Sequence, residues 1–420
     1  MSRFVRLPRR NRPPGQSSRT SSTGPSTSST PPENTSLREE TENCCTFDFT
    51  FDSEPVWGTS KGFRTFPSSG NFLKLDSMDG PPVHTPPPLG ILDSKSLTES
   101  TLDFPEEFGR TYTAFRPGSY PYPNDLMESQ RLNEQYHILN KVSGRLHFAP
   151  WSQRNPPRNV MDIATGTGLW AMDIADLYPE AQVQGNDLSP IQSQHVPPNL
   201  HFFVEDARSL PSPSPSPLRE EEWQFTTPFD YIHTRCCLGA FQDFKKNIIC
   251  QAFENLCPGG WLESQEIQHR AFCDDDTLSP DSPLLVWARE LQEASEAINR
   301  QLVVAPHLRQ WYEEAGFVDV KEIVYKVPLN PWPQDAQYKE IGRRWERILL
   351  DGMSGFSLAL FNRYFGRSRE EIEAQLVPVR RDISNPNIHA YQKYHMVIGR
   401  KPFEGETSMP VEQRSGMEER

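Results

Sequence analysis

The 420-residue sequence contains no apolar run long enough to cross a membrane, since such a span needs roughly 18 or more apolar residues. Its start, MSRFVRLPRRNRPP, has the basic charges of a signal peptide but lacks the apolar stretch that follows them in one. The seven cysteines are odd in number and none is at CxxC spacing, which argues against a disulfide framework and a zinc site. We therefore expect an intracellular protein with free thiols, no bound metal and no membrane partner.

An excess of positive charge is also absent. Lysine and arginine number 43 against 56 acidic residues, and the formal net charge is −13. Because binding to a phosphate backbone requires a concentrated cationic surface, no direct nucleic-acid partner is expected. Residues 1–32 are the exception, since they hold six arginines and no acidic residue. Such a basic block is typical of a nuclear import signal, and a solvated tail without that role is the alternative.

Apolar residues are scarce at the front of the chain, although they make up 35% of the whole. Residues 1–105 are rich in serine, threonine and proline, a composition that cannot bury enough apolar surface to offset its ordering entropy. We predict a disordered tail there and a second one over residues 403–420. The aromatic patch CTFDFTFDSEPVW, residues 45–57, is interpreted as a segment that orders on a partner.

Beyond residue 105 the pattern changes to helical periodicities that alternate with short apolar runs. An amphipathic helix is predicted up to about Gly144, with Asn124 as its N-cap. Helices are predicted at about 169–178 and 243–256, between strands NVMDIA, QVQGND, LHFFVEDA, FDYIHTR and GGWLESQEI. This order predicts an α/β fold, a Rossmann-like doubly wound sheet of seven strands with helices on both faces and an antiparallel last pair. We divide the folded part into a helical cap, 106–150, and a domain, 151–402, with helical insertions around 284–301 and 334–350.

The segment DIATGTGLWA, residues 162–171, follows a predicted strand and opens a helix. Glycines there allow a tight turn and the close approach of a ligand, and the helix start offers free amides. Asp187 ends the next strand, where its carboxylate can accept both hydroxyls of a ribose, and Asp206 ends the third, where it can meet an adenine amino group. We predict a cofactor site formed by Asp162, Ala164, Gly166, Gly168, Asp187, Leu188, Asp206 and Ala207.

Two cofactors are compatible with this turn. Gly166, Gly168 and Ala171 also match the GxGxxG/A fingerprint of dinucleotide-binding dehydrogenases. Asp162 favours the alternative, because its carboxylate would oppose a pyrophosphate but suits the cationic amino-acid end of S-adenosylmethionine. The segments CPGGWLE and EAGFVDV, each just before a predicted strand, also resemble class I methyltransferases.

Residues 110–402 resemble the LaeA-type fungal methyltransferases, the velvet-complex regulators of secondary metabolism and development. The resemblance rests on RTYTAFRPGSYPYPNDLMESQRL, DIATGTGLWAMDIADLYPEAQVQGNDLSPIQ, CPGGWLESQEI, CDDDTL, VPLNPWPQD and NIHAYQKYHMVIGRKP. It implies S-adenosylmethionine-dependent methyl transfer, velvet-family partners, a nuclear location with the cytoplasm as a second one, and control of secondary-metabolite genes and sporulation. The acceptor stays open between a protein side chain, including methionine of the enzyme itself, and a small metabolite. A small-molecule methyltransferase and a catalytically weak scaffold remain alternatives.

One departure from the class I pattern concerns Ala164, which stands where most of these enzymes have the first glycine of the turn. An alanine is tolerated there provided that the position does not need a positive φ.

Methyl transfer from a sulfonium is an in-line displacement, so aligning the acceptor with the methyl group can supply most of the catalysis. The candidates for a catalytic role are His233, at the end of the fourth strand, and Glu266. For His233 a structural, hydrogen-bonded role is equally compatible with the sequence. Glu263 and Glu266 are three residues apart in one strand, so only one of them can face the site. The fourth strand ends without the Asn/Asp-Pro-Pro-aromatic motif of nucleic-acid amine methylation, and base methylation is not expected.

Overall fold

A computed structural model describes residues 102–207, 223, 225 and 227–406. The predicted basic block, the aromatic patch and most of the predicted tails lie outside these residues. The described chain continues four residues past the predicted boundary at 402, and Arg400 forms an ion pair with Glu406 there. No helix in the described part of the chain combines the length and apolar character of a membrane span.

The first elements precede the main sheet. Strands β1 (Glu106–Glu107) and β2 (Arg110–Thr111) form a small antiparallel pair, and helix α1 (Leu126–Ser143) follows. The predicted N-cap of α1 was wrong by one residue, because the Asp125 side chain accepts the hydrogen bond from the Glu128 amide. Asn124 instead bonds to Thr111 and Ser189 and so ties the start of α1 to neighbouring segments.

Seven strands form the main sheet: β3 (Asn159–Ile163), β4 (Gln182–Asp187), β5 (Leu200–Val204), β6 (Phe229–Arg235), β7 (Leu256–Ile267), β8 (Val318–Pro328) and β9 (Tyr391–Arg400). Their order in the sheet is β5-β4-β3-β6-β7-β9-β8. Strands β3 to β7 run parallel, whereas β9 is antiparallel to both β7 and β8. This confirms the predicted fold class. The chain crosses from one side of β3 to the other between β5 and β6, which creates a crevice at the carboxyl ends of β3 and β6.

The helices after α1 are α2 (Leu169–Leu177), α3 (Gln251–Asn255), α4 (Pro283–Ala297), α5 (Leu308–Ala315), α6 (Ala336–Phe365) and α7 (Arg369–Ile383), with a 3₁₀ turn Ala305–His307 before α5. They differ from the predictions in three places. The predicted helix at 243–256 begins as a π-helix, Lys245–Cys250, before it continues as α3. The predicted insertion at 334–350 is the start of the 30-residue helix α6. Helix α7 was not predicted and has Pro378 in its interior.

Buried apolar side chains form three clusters. One lies between α2 and one face of the sheet and includes Trp170 and Tyr231. A second covers the other face around the π-helix and α5. The third joins α1 to α4, α6 and α7 through residues such as Leu139, Trp287 and Trp345. Helix α1 therefore shares a core with the helical insertions that follow the predicted cap boundary at residue 150.

Candidate active site

A cleft opens at the carboxyl ends of β3, β4, β5 and β6. Residues from α1 and from the segment before it form the opposite wall, among them Tyr120, Gln135 and Tyr136. The structure brings seven of the eight predicted cofactor residues to this cleft: Asp162, Ala164, Gly166, Asp187, Leu188, Asp206 and Ala207. Three carboxylates from neighbouring strand ends thus face one space.

Asp187 ends β4 and braces the glycine turn. Its Oδ2 accepts a hydrogen bond from the Gly166 amide at 2.9 Å, and its Oδ1 accepts one from the Ser189 amide at 3.0 Å. Burial raises the pKa of Asp187 to about 6, although both backbone bonds lower it. The Gly166 amide is therefore engaged within the chain and is not one of the free amides expected at this turn.

Asp162 lies at the centre of a buried polar group. Its Oδ1 is 2.8 Å from His233 Nδ1, and its Oδ2 accepts a hydrogen bond from the Thr165 hydroxyl. The His233 ring stacks on Trp170 at 3.5 Å between centroids, and the side chain is fully buried. Burial lowers the pKa of His233, against the raising effect of Asp162, so the ring is neutral near pH 7 and its Nδ1–H donates to Asp162.

The geometry of His233 bears on its predicted catalytic role. Its Nε2 is buried and has no hydrogen-bond partner in the part of the chain that the structure describes, although the residue borders the cleft. A base must reach the proton that it abstracts, and the fully buried ring does not offer that access in this conformation. The contacts support the structural interpretation, in which His233 fixes the orientation of Asp162.

Asp206 follows β5 by two residues and is 4% exposed. Its Oδ2 forms an ion pair of 2.9 Å with Arg116 Nη1, which comes from residues 112–125 before α1. We name these residues the strap. The strap is also held by a hydrogen bond from the Thr113 hydroxyl to the Leu188 carbonyl, and its Tyr120 borders the cleft. The strap is thus anchored beside the ends of β4 and β5, where the ribose and the adenine are predicted to bind.

Two positions of the glycine turn differ from expectation. Alanine was expected to be tolerated at position 164 only if the backbone there did not need a positive φ. Ala164 nevertheless has φ of 53°. Gly168 does not border the cleft. It has φ of 81°, and a Cβ there would lie 2.3 Å from Cζ of the Phe202 ring, so backbone conformation and packing both require glycine.

Glu263 and Glu266 face opposite sides of β7, as their spacing predicts, and neither borders the cleft. Glu263 Oε2 accepts hydrogen bonds from the Phe148 and Ala149 amides and from the Tyr231 hydroxyl. Glu266 Oε2 accepts a hydrogen bond from the Cys237 amide at 2.8 Å, while no described residue bonds to its buried Oε1. Burial raises the pKa of Glu266 to about 8. Glu266 therefore does not reach the cleft directly, although it is bonded to Cys237, which borders the cleft.

Several cleft residues were not singled out by the sequence analysis. Arg235 ends β6, Arg300 follows α4, and Glu205 precedes Asp206. Burial raises the pKa of Glu205 to about 7. The position of Arg235 and Glu205 at strand ends is the signal that could have identified them, whereas Arg300 reaches the cleft from an insertion that the strand pattern does not place.

Sequences of known proteins align with most of this chain. Residues 132–322 match the family model described as a methyltransferase domain. Methyltransferase pytC of Aspergillus terreus is 34% identical over 344 residues, covering 81% of this chain and 99% of that protein. The secondary metabolism regulator LAE1 of Cochliobolus heterostrophus is 36% identical, covering 70% of this chain and 94% of its own. The secondary metabolism regulator laeA of Monascus pilosus is 31% identical, with 89% and 93% covered.

Proposed function

Because this chain belongs to the family of fungal class I methyltransferases that includes the LaeA regulators, we propose that it regulates secondary metabolism from the nucleus. The chain is an S-adenosylmethionine-dependent methyltransferase. The proposal adds that it works with velvet-family proteins, controls secondary-metabolite genes and sporulation, and methylates a protein side chain, its own methionines included.

The convergence of Asp162, Asp187 and Asp206 on one cleft is the observation that supports methyl transfer from this site. The amino-acid end of S-adenosylmethionine carries an ammonium group, and its adenosine carries a ribose diol and an adenine amino group. Each of these can donate a hydrogen bond to a carboxylate. The bound cofactor supplies an electrophilic methyl group. The chain's own part is to orient that group and, through the strap, to exclude water.

The regulatory role is supported by the two relatives whose names describe them as secondary metabolism regulators. The arginine-rich residues 1–32 fit an import signal for a nuclear protein. The acidic remainder of the chain fits a protein that acts through other proteins and does not bind nucleic acid itself.

A small-molecule methyltransferase of a secondary-metabolite pathway is the second candidate. It is favoured by the alignment with methyltransferase pytC, which covers 99% of that protein and is as strong as those with the regulators. In this case the strap and α1 would enclose a metabolite beside the cofactor, and the partner proteins would be unnecessary.

Labelling with methyl-labelled S-adenosylmethionine separates the two candidates. The protein is incubated alone and with fungal nuclear extract, and labelled species are mapped by mass spectrometry. Labelled peptides, of this chain or of extract proteins, support the regulator, whereas a labelled metabolite without labelled protein supports the biosynthetic enzyme. Asp187→Ala serves as the control, since loss of the carboxylate that braces the Gly166 turn should abolish cofactor binding and labelling together. Unchanged labelling by this variant would contradict the assignment of the cleft.

A further inference from the structure

Arg235 is the last residue of β6 and borders the cleft. Its Nε, Nη1 and Nη2 atoms are all buried, and none has a hydrogen-bond partner among the described residues. The guanidinium carbon lies 5.2 Å from the centroid of the Tyr136 ring on α1. A charged group withdrawn from water is stable only when it is paired and hydrogen-bonded. The ring face compensates a part of this cost, and five N–H donors still lack an acceptor.

The carboxylates around Arg235 are engaged elsewhere. Asp162 is bonded to His233 and Thr165. Glu263 accepts hydrogen bonds from Gln265, Tyr231 and backbone amides. Glu266 bonds to the Cys237 amide, and burial keeps its pKa at about 8, so it is mainly neutral near pH 7. Within the described part of the chain, Arg235 therefore has no ion-pair partner, which indicates that the missing anion belongs to a ligand.

The sheet places Arg235 beside Asp162. In the pairing of β3 with β6, Asp162 lies opposite His233, and Arg235 is two residues further along β6. Because side chains alternate along a strand, His233 and Arg235 point to the same face of the sheet. Two neighbouring strands thus present a carboxylate and a guanidinium to one end of the cleft. This arrangement is complementary to an α-amino acid, which carries an ammonium and a carboxylate on one carbon.

The charges of the cofactor indicate which ligand carboxylate pairs with Arg235. A sulfonium cation in the same cleft would be repelled by an unpaired guanidinium. The amino-acid carboxylate of S-adenosylmethionine enters the cleft together with the sulfonium. It can therefore neutralise Arg235 whenever the sulfonium is present. An anionic methyl acceptor could neutralise Arg235 only while the acceptor was bound.

We propose that Arg235 binds the α-carboxylate of S-adenosylmethionine, while the Asp162 carboxylate faces the ammonium group of the same amino acid. The proposal rests on the cofactor site described above and names the residue that recognises the part of the cofactor distant from the adenosine. The planar fork of arginine allows two parallel hydrogen bonds to a carboxylate, which lysine cannot make. The guanidinium lies over the Tyr136 ring, whose hydroxyl is fixed by a hydrogen bond to Asp173 of α2.

The test compares two ligands of which only one carries the amino acid. S-adenosylhomocysteine carries the amino acid, whereas 5′-methylthioadenosine keeps the adenosine and the sulfur and lacks it. In calorimetry, Arg235→Met should weaken S-adenosylhomocysteine binding about ten- to a hundredfold and leave 5′-methylthioadenosine binding within about twofold. Arg235→Lys should give an intermediate loss for the first ligand. Arg145→Met is the matched control, because Arg145 also lies over an aromatic ring, Phe148, but outside the cleft.

Unchanged affinity for S-adenosylhomocysteine in Arg235→Met, or an equal loss for both ligands, would overturn the proposal. A measurement on the wild type does not depend on the folding of any variant. The decarboxylated analogue of S-adenosylhomocysteine, which keeps the ammonium group, should bind at least about tenfold more weakly than the parent, and equal binding would also overturn the proposal. Failure of the wild type to bind even 5′-methylthioadenosine would instead contradict the cofactor site itself.

Discussion

Ala164 holds a backbone conformation that L side chains rarely adopt, with φ of 53°. A left-handed conformation costs an alanine roughly 1 kcal/mol or more relative to glycine. We expect Ala164→Gly to raise the free energy of unfolding by about 0.5–1 kcal/mol, after the greater freedom of glycine in the unfolded chain is taken into account. Urea denaturation measures this change.

The control for Ala164→Gly is Ala171→Gly, within α2, where glycine should lower the free energy of unfolding by about 1 kcal/mol. A loss of stability at both positions would show that the backbone at Ala164 is not strained.

Glu266 makes the stability of the folded protein depend on pH. Burial raises the pKa of this carboxyl to about 8 in the folded chain, above its ordinary value of about 4.5. The folded state therefore binds a proton that the unfolded state has released, and the contribution of Glu266 to stability, complete below about pH 4.5, is lost as pH rises toward 8. Glu266→Gln has no ionisable group at this position, so it should lack this loss of stability with pH. The free energy of unfolding of the variant relative to that of the wild type should therefore increase as pH rises.

Urea midpoints at pH 5, 6, 7 and 8 measure the Glu266 effect. The exposed residue Glu404 provides the control, since Glu404→Gln should leave the pH dependence of the wild type unchanged. Parallel wild-type and Glu266→Gln curves would show that Glu266 is ionised in the folded protein.

At the scale of elements, the strands were predictable and some helices were not. β4 and β6 have the predicted bounds, because each is a short run that lies between turn residues. Helix α7 was missed, since Pro378 in a helix interior removes a backbone hydrogen bond and normally ends a helix. The strap was also unpredictable in detail, because its position depends on single contacts with distant residues such as Leu188.

The strap is the element whose motion should control access to the cleft. Thr113 is buried, and its hydroxyl donates to the Leu188 carbonyl at 2.9 Å. Thr113→Val keeps the side-chain shape but leaves this carbonyl without its donor, at a cost of about 1–2 kcal/mol. We expect faster amide exchange in residues 112–125 and dissociation of S-adenosylhomocysteine accelerated about five- to thirtyfold. Stopped-flow and hydrogen-exchange measurements test both effects.

Ser143→Ala is the control for the strap variant, because it removes a buried hydroxyl hydrogen bond of the same length, 2.9 Å, to the Arg145 carbonyl at the other end of α1. It should leave ligand dissociation nearly unchanged. Equal dissociation rates for Thr113→Val and the wild type would mean that the strap does not cover the bound ligand.

For the molecule as a whole, periodicity and turn residues were enough to predict the sheet and to identify the acidic residues of the cleft. They placed Asp162, Asp187 and Asp206 together because parallel strands share one edge at their carboxyl ends. They gave no role to Arg235, although it ends a predicted strand, because its lack of partners is a property of the folded neighbourhood. Nor did they show that His233 would be closed off by Trp170, since that stacking joins a strand to a helix more than 60 residues earlier.

The shared core of α1, α4, α6 and α7 predicts that residues 106–150 do not unfold separately from the rest of the described chain. Leu139 of α1 is fully buried in this core beside residues of the insertions. Leu139→Ala should therefore lower the free energy of unfolding by about 2–5 kcal/mol, and far-ultraviolet circular dichroism and tryptophan fluorescence should still report one coincident transition.

Leu126, on the same helix but 73% exposed, is the matched control, and Leu126→Ala should change stability by less than about 0.5 kcal/mol. If Leu139→Ala instead produced an early transition confined to helical signal, with the tryptophan signal unshifted, α1 would be an independent cap, and the cleft wall that it provides could open without disturbing the sheet.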